Sequence, residues 1–148
     1  MKLLLDTNVL LDFYLSREPY FGTVKDLFIA KMFDDVQLWA SSKSYTDIFY
    51  IAKKYVDAHE LQQAFLASFE QIELCSIDGD DIKHAAELSW PDFEDCLVSV
   101  AAEKIKADAI VTRDVDGFEA SAIPAMTPAQ VMDQLRDQGL IYETVIFD

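Results

Sequence analysis

The chain has 148 residues, of which 51% are hydrophobic and 12% aromatic. This length fits one folded domain, residues 1–148, and the composition excludes a disordered or low-complexity chain. The formal net charge of -15 disfavours a nucleic-acid partner, because affinity for phosphate normally comes from Lys and Arg, but a bound divalent cation can offset that charge locally.

Five short apolar runs along the chain predict strands, at 3–5, 36–40, 73–77, 109–112 and 123–126. Helical patterns fill the intervals between them. Strands separated by helices indicate βαβ units with right-handed crossovers, and therefore a mostly parallel sheet that is covered on both sides. The sequence predicts an α/β fold with three α/β/α layers.

A helix is predicted within residues 41–56, where apolar side chains recur at helical spacing and Asp47 stands at the edge of the apolar stripe. A second helix is predicted from Asp57, with a capping-box-like start, to about residue 71. Its expected buried face consists of Leu61, Ala64, Phe65 and Phe69.

Thr127, Pro128 and Gln130 form a capping box with Pro at the first helical position, which predicts a last helix that ends before Gly139. The apolar residues 140–148 that follow are expected to form either an edge strand or a surface that covers a partner.

No stretch approaches the roughly 18 apolar residues of a membrane span, and the first residues lack the pattern of a cleaved signal. We therefore expect a cytoplasmic protein with no membrane partner. Cys75 and Cys96 have neither CxxC spacing nor a paired His motif, so neither a disulfide framework nor a zinc site is predicted.

Four aspartates occupy positions that suggest a common site. Asp6 and Asp114 follow the first and fourth predicted strands, and in open parallel sheets ligands bind beyond such carboxyl ends. Asp95 lies one turn into a predicted helix that begins after Pro91, and Asp47 lies within another helix. Carboxylates that converge on one crevice are suited to hold a divalent metal ion.

Four segments, LLLDTNVLLDFYL, SSKSYTDIFYIAKK, WPDFEDCLVSVAAEKIKADAIVTRDVDGF and IPAMTPAQVM, resemble in this order the PIN-domain ribonucleases, in the single-domain form used as VapC-type toxins. The resemblance runs over nearly the whole chain. It implies a PIN-like α/β/α domain and a metal-dependent endoribonuclease that uses Mg²⁺ or Mn²⁺ to hydrolyse phosphodiester bonds of single-stranded or structured RNA. It also implies a homodimer and a cognate antitoxin protein that blocks the site.

Residue by residue, the resemblance implies that the catalytic and metal-binding acids are Asp6, Asp47, Asp95 and Asp114. The second acid of the family is usually Glu, so Asp47 is one methylene shorter. The family often has Asp directly before the Phe of the last loop, whereas here Gly117 separates Asp116 from Phe118, which leaves Asp114 as the candidate and Asp116 in reserve.

Further residues are expected to support these acids or to bind the substrate. Asn8 is expected to orient the Asp6 carboxylate, and Arg113 to contact a substrate phosphate. Exposed rings such as Tyr14 or Trp90 are candidates for stacking on unpaired bases. The other supporting candidates are Thr112, Asp92 and Asp116, and the weaker phosphate candidates are Lys43 and Arg17.

Simpler interpretations exist for the same residues. Asp6 can serve only as the cap of a helix that begins at Thr7, and Asp92 and Glu94 can form an ordinary acidic first turn. A non-catalytic PIN-like module that binds RNA or protein is the main alternative. A phosphatase or receiver domain is disfavoured, because Asn8 stands where a phosphatase of the haloacid-dehalogenase type needs a second Asp.

Overall fold

The computed structural model describes residues 1–142. These residues form five strands, seven α-helices and one short 3₁₀ helix, Val115–Phe118. The strands are β1 (Lys2–Leu5), β2 (Gln37–Ser41), β3 (Ile72–Cys75), β4 (Ala109–Val111) and β5 (Ala125–Met126). The helices are α1 (Thr7–Tyr14), α2 (Phe21–Met32), α3 (Ser44–Ala52), α4 (Ala58–Ser68), α5 (Gly79–Leu88), α6 (Phe93–Lys104) and α7 (Pro128–Asp137).

The five strands form one parallel sheet in the order β3-β2-β1-β4-β5. The chain builds outwards from β1 to β3 and then returns to place β4 on the other side of β1. The strand order therefore reverses between β1 and β4. In open α/β sheets a crevice forms beyond the carboxyl ends of the strands at such a point, here directly after Leu5 and Val111.

Alternation along β1 divides the core between the two faces of the sheet. Leu3 and Leu5 face a large apolar cluster with α1, α2, α3, α4 and α7, whereas Leu4 faces a smaller cluster formed with α6. Helix α5 packs on α6, with Ala85 buried between them. Helices on both faces of a parallel sheet give the predicted PIN-like α/β/α layers.

The predicted strands are found with ends that differ by at most two residues. Two helix predictions are wrong in detail. Helix α3 ends at Ala52, before Val56, because the next residues tighten into turns in which the Tyr55 N–H bonds the Ala52 carbonyl. Ala64 is exposed, because α4 contacts its neighbours only along the narrow stripe of Leu61, Phe65 and Ser68.

Both ends of α7 follow the sequence signals closely. Thr127 and Gln130 form the predicted capping box of α7, and the chain leaves that helix through Gly139 at a φ of +85°. Residues 140–142 form no strand, and residues 143–148, the rest of the predicted edge strand or cover, lie outside the described residues. Across residues 1–142, no helix combines the length and the apolar character that a membrane crossing requires.

Candidate active site

Asp6 lies at the centre of the crevice between β1 and β4. Its backbone N–H bonds the Val111 carbonyl at 2.9 Å, so the residue is fixed by the pairing of the two strands. One carboxylate oxygen, Oδ1, accepts the Thr7 N–H at 2.8 Å, and the other, Oδ2, accepts the Thr112 hydroxyl at 2.8 Å. The side chain therefore caps α1, as the simpler interpretation held, and also reaches into the crevice.

Thr112 connects the residues around Asp6. Its buried hydroxyl donates to Asp6 and accepts the N–H of Asp114 at 3.0 Å and the Asn8 side-chain amide at 3.4 Å. Asn8 in turn accepts the Arg113 N–H at 3.3 Å. Asn8 thus acts on Asp6 through Thr112 and the loop after β4, and it makes no direct bond to the carboxylate among the contacts of residues 1–142.

Helix α6 brings Asp95 to the same crevice. Asp92 caps this helix by accepting the Asp95 N–H at 2.9 Å, so Asp95 is fixed in the first helical turn. Partial burial and then the negative charges of Asp6, Asp92, Asp114 and Glu94 raise the pKa of Asp95 to about 7. The pKa of Asp6 is also raised, chiefly by burial, although its hydrogen bonds act in the opposite direction.

Asp114, and not Asp116, faces the other acids. A Cβ atom added at Gly117 would lie 2.6 Å from Asp114 Oδ2 and 3.1 Å from Asp95 Oδ2. The carboxylate of Asp114 therefore occupies the space that a side chain at position 117 would need. Asp116 is exposed and is not among the groups that raise the pKa of Asp6 or Asp95.

Asp47 lies at the side of this group and not within it. It is about one-third exposed and pairs with Lys43, with the lysine Nζ 3.4 Å from its carboxylate. The neighbouring acid is Glu94, whose pKa is raised by partial burial and then by Asp47, Asp6 and Asp92. Glu94, interpreted from the sequence as a helix-start residue, therefore places an acid that is one methylene longer than Asp47 near both Asp47 and Asp6.

The donor atoms suit a hard divalent cation. Carboxylate and hydroxyl oxygens are the preferred ligands of Mg²⁺ and Mn²⁺, and repulsion among carboxylates is relieved by bound positive charge. Within residues 1–142, no three His, Cys, Asp or Glu side chains are arranged to share one ion. Mg²⁺ typically uses one or two carboxylates and keeps several waters, so Asp6 with Asp95 or Asp114 fits a hydrated ion.

Arg113 follows Thr112 directly, but its side chain is held away from the acids. Its Nε and Nη2 donate to Asp12 at 2.8 and 3.3 Å, and its Cζ lies 4.0 Å from the centroid of the Tyr20 ring. Arg17 donates to the same carboxylate from Nε at 2.9 Å. The sequence analysis missed Asp12, although an acid within the apolar run VLLDFYL was a usable signal.

The two rings expected to stack on bases are both committed to packing. Tyr14 bonds the hydroxyls of Tyr45 and Ser68 and packs edge-on against Phe65, and Trp90 packs against Phe118. That expectation is wrong, because the apolar bodies of these rings complete the core clusters. Tyr20, at 41% exposure, is the open ring next to Arg113.

Comparison with solved structures identifies the same fold in bacterial toxin complexes. The VapBC2 complex of Rickettsia felis, solved with a fragment of its promoter DNA, aligns with a TM-score of 0.66 at 15% identity over 86% of this chain and 98% of that chain. A toxin-antitoxin complex from Klebsiella pneumoniae aligns with a TM-score of 0.62 at 22% identity over 85% and 97%.

A third structure is the VapC20 toxin of Mycobacterium tuberculosis, described as cleaving the sarcin-ricin loop, with a TM-score of 0.63 at 15% identity over 80% of this chain and 94% of that one. A search of curated proteins finds no match. A family profile described as PIN domain matches residues 2–116, which include β1, β4 and all the acids of the crevice. This chain therefore belongs to the PIN domain family.

Proposed function

We propose that the protein is an endoribonuclease that requires Mg²⁺ or Mn²⁺ and hydrolyses phosphodiester bonds in single-stranded RNA or in unpaired parts of structured RNA. The observation that carries this proposal is the meeting of Asp6, Asp95 and Asp114, from three different elements, in the crevice beyond β1 and β4. Family membership supports the same activity.

The carboxylates have different roles at the proposed ion site, according to their surroundings. Asp6 is the fixed ligand, because both of its oxygens are held by hydrogen bonds. Either Asp95, from α6, or Asp114, from the loop after β4, completes the ion site with Asp6. A divalent ion, when bound, supplies positive charge against the phosphate and makes the attacking water more acidic. Asp47 and Glu94 extend the negative surface on the side of α3, where Asp92 is also close.

Arg113 is the proposed contact for a substrate phosphate. It is the cationic residue directly between Thr112 and Asp114, and its side chain is about one-third exposed. A guanidinium group binds phosphate through paired N–H donors and keeps its charge at all working pH values. Single-stranded RNA fits this arrangement better than a duplex, because its phosphates and bases can adapt to a narrow crevice.

The proposed biological setting is a toxin-antitoxin pair. Among the solved structures of this fold, one is described as a toxin-antitoxin complex and another as a toxin that cleaves the sarcin-ricin loop. We propose a cognate antitoxin as the protein partner and a homodimer as the assembled form. A bound antitoxin would block a crevice whose acids are exposed at its mouth, as Asp92 and Asp114 are.

The alternative is a PIN module that binds RNA or protein without cleaving. The ion pair between Lys43 and Asp47 favours this alternative, because it neutralises the acid that stands in the place of the family's Glu. Metal affinity separates the two functions. A nuclease must bind Mn²⁺ through Asp6 and Asp95, and a non-catalytic module need not bind it at all.

The test is cleavage of a panel of fluorescent single-stranded and hairpin RNAs in Mg²⁺, Mn²⁺ or EDTA by the wild type and by Asp95→Asn. We expect cleavage that requires metal and falls by about 100-fold or more in the variant, the order of loss for a misplaced or missing catalytic group. Mn²⁺ affinity, measured by calorimetry, should fall in parallel.

The matched control is Asp137→Asn, which removes an exposed carboxylate at the end of α7, and it should cleave like the wild type. Cleavage that survives in EDTA or in Asp95→Asn would contradict the proposed chemistry. A folded wild type that binds no Mn²⁺ and cuts no RNA would establish the non-catalytic alternative.

A further inference from the structure

Asp12 is a fully buried carboxylate whose partners are both arginines. It lies in α1 with none of its surface exposed, and it accepts Arg17 Nε at 2.9 Å, Arg113 Nε at 2.8 Å and Arg113 Nη2 at 3.3 Å. One carboxylate with two guanidinium groups leaves a net charge of about +1 at this point. This is a local positive centre in a chain of net charge -15.

The network fixes Arg113 from three sides. Its backbone N–H is held by Asn8, its Nε and Nη2 are held by Asp12, and its guanidinium plane lies over Tyr20 at 4.0 Å. A guanidinium group has five N–H donors, and Asp12 engages two of them. Among contacts within residues 1–142, the other three have no protein acceptor, and the side chain is about one-third exposed.

The exposed side of Arg113 opens into a cavity of about 310 Å³. Among the described residues, no carboxylate lines this cavity. Its walls combine apolar rings with hydroxyl groups, and the first turn of α7 adds the weakly positive end of a helix dipole. The lining residues are Pro19, Tyr20, Thr23, Arg113, Thr127 and Pro128, with Ala129.

We propose that this cavity binds the nucleotide next to the cleaved bond, with its phosphate on Arg113, and that Asp12 is the positioning residue that holds Arg113 for this contact. The inference rests on the proposed ribonuclease function and adds a substrate subsite to it. The cavity wall supplies apolar surface for the sugar or base. In the neighbouring crevice, by contrast, the carboxylates of Asp6, Asp95 and Asp114 would repel a phosphate that has no metal ion beside it.

A purely structural role for the network predicts the opposite sign. If Asp12 only neutralises two arginines, replacing it with Asn removes a negative charge and frees the guanidinium groups, so RNA should bind more tightly. If Asp12 positions Arg113, the same replacement should weaken binding, although it makes the protein less negative. The direction of the change therefore decides between the two roles.

The experiment measures binding of a fluorescent single-stranded RNA by anisotropy, in the cleavage-deficient Asp95→Asn background, over about 50 to 200 mM salt. Arg113→Gln should weaken binding by about tenfold, as loss of one charge-assisted contact does. It should also reduce the slope of log affinity against log salt by about 0.7, the value for one phosphate contact on a single strand.

Asp12→Asn should weaken binding several-fold in the same assay. Tyr20→Leu, which removes an exposed ring and leaves Asp12 in place, should do so as well. Tighter binding by Asp12→Asn, or binding by all three variants equal to that of Asp137→Asn, would overturn the inference. If Asp12→Asn does not fold, the test depends on Tyr20→Leu and Arg113→Gln. The subsite is contradicted if neither of these variants weakens binding.

Cleavage kinetics in the otherwise wild-type protein separate this inference from the function on which it rests. The subsite variants should raise KM with little change in kcat, and Mn²⁺ affinity should stay at the wild-type value. If the wild type cleaves RNA and the variants leave KM unchanged, only the subsite is wrong. If the wild type neither cleaves nor binds RNA, the proposed function fails and the subsite fails with it.

Discussion

Asp12 and Asp95 approach adjacent residues of the loop after β4, Arg113 and Asp114, in opposite electrostatic surroundings. Asp12 is fully buried and meets two guanidinium groups, whereas Asp95 is partly buried and faces other carboxylates that raise its pKa to about 7. The first acid contributes to folding and to the position of Arg113. The charge of the second costs stability where it lies, which is where we propose that a cation binds. The neighbours of each acid thus distinguish one that stabilises the fold from one that is proposed to act in the reaction.

The largest effect on stability is expected from removing Asp12, the carboxylate that pairs with Arg17 and Arg113. Asp12→Ala should lower the free energy of unfolding by about 2–3 kcal/mol, somewhat less than for a fully buried pair, because both arginine side chains are about one-third exposed and can be rehydrated. Urea denaturation without metal measures the change. A loss no greater than that of Asp137→Ala would mean that the network does not stabilise the fold.

Removing the charge of Asp95, the acid of the crevice, is expected to raise the free energy of unfolding. The pKa of Asp95 is raised in the folded protein from its ordinary value of 3.8 to about 7, so between these values the folded state binds more protons than the unfolded state. The free energy of unfolding of the metal-free protein therefore falls as pH rises through this range.

Asp95→Asn removes this cost. In EDTA at about pH 8 the variant should be more stable than the wild type by about 1–2 kcal/mol, a value reduced for solvent screening of a partly exposed group. At about pH 3 the two proteins should be equally stable, because the Asp95 carboxyl is then largely neutral in both the folded and the unfolded state. Denaturation curves at both pH values measure this, and a variant less stable at the higher pH would contradict the repulsion.

A smaller effect is expected from a methyl group between the two acids. In Gly117→Ala the new Cβ would lie 2.6 Å from Asp114 Oδ2, so that carboxylate must move. We expect Mn²⁺ affinity and cleavage to fall by about tenfold, less than displacement of a whole catalytic group causes. The matched control is Gly22→Ala in α2, where the added Cβ meets nothing within 4 Å. There, cleavage should be unchanged and stability about 0.5 kcal/mol higher.

Equal effects of the two alanine substitutions on Mn²⁺ affinity would show that the space at position 117 has no part in the site. If a high Mn²⁺ concentration restores cleavage in Gly117→Ala, Asp114 contributes to binding of the ion and not to the chemical step. Either result sharpens the assignment of the last acid.

Local pattern was enough to predict the sheet and most of the crevice. Asp6 and Asp114 follow strands that are adjacent in the sheet, and the capping position of Asp92 fixes Asp95 one turn into α6. These relations are encoded within a few residues of each acid, together with the rule for where parallel sheets bind ligands. The prediction that these acids serve metal-dependent RNA hydrolysis came from the resemblance to the PIN-domain family.

What the sequence could not predict depends on contacts between distant segments. Asp12 and Arg113 are 101 residues apart, and nothing in the local pattern of either residue specifies the other. Glu94 has the ordinary character of a helix-start residue. It comes near Asp47 only because the first turns of α3 and α6 meet at the carboxyl edge of the sheet. Ala64 is exposed because few side chains cover that side of α4, which helical periodicity alone cannot reveal.

The bond from Thr112 to Asp6 spans 106 residues and forms only when β4 pairs with β1. During synthesis, Asp6 leaves the ribosome long before the segment that orients it. A nascent chain therefore cannot complete this site until most of the protein has been made. For an enzyme that cuts RNA, this order of assembly would keep the growing chain inactive beside the very messenger and ribosome that produce it.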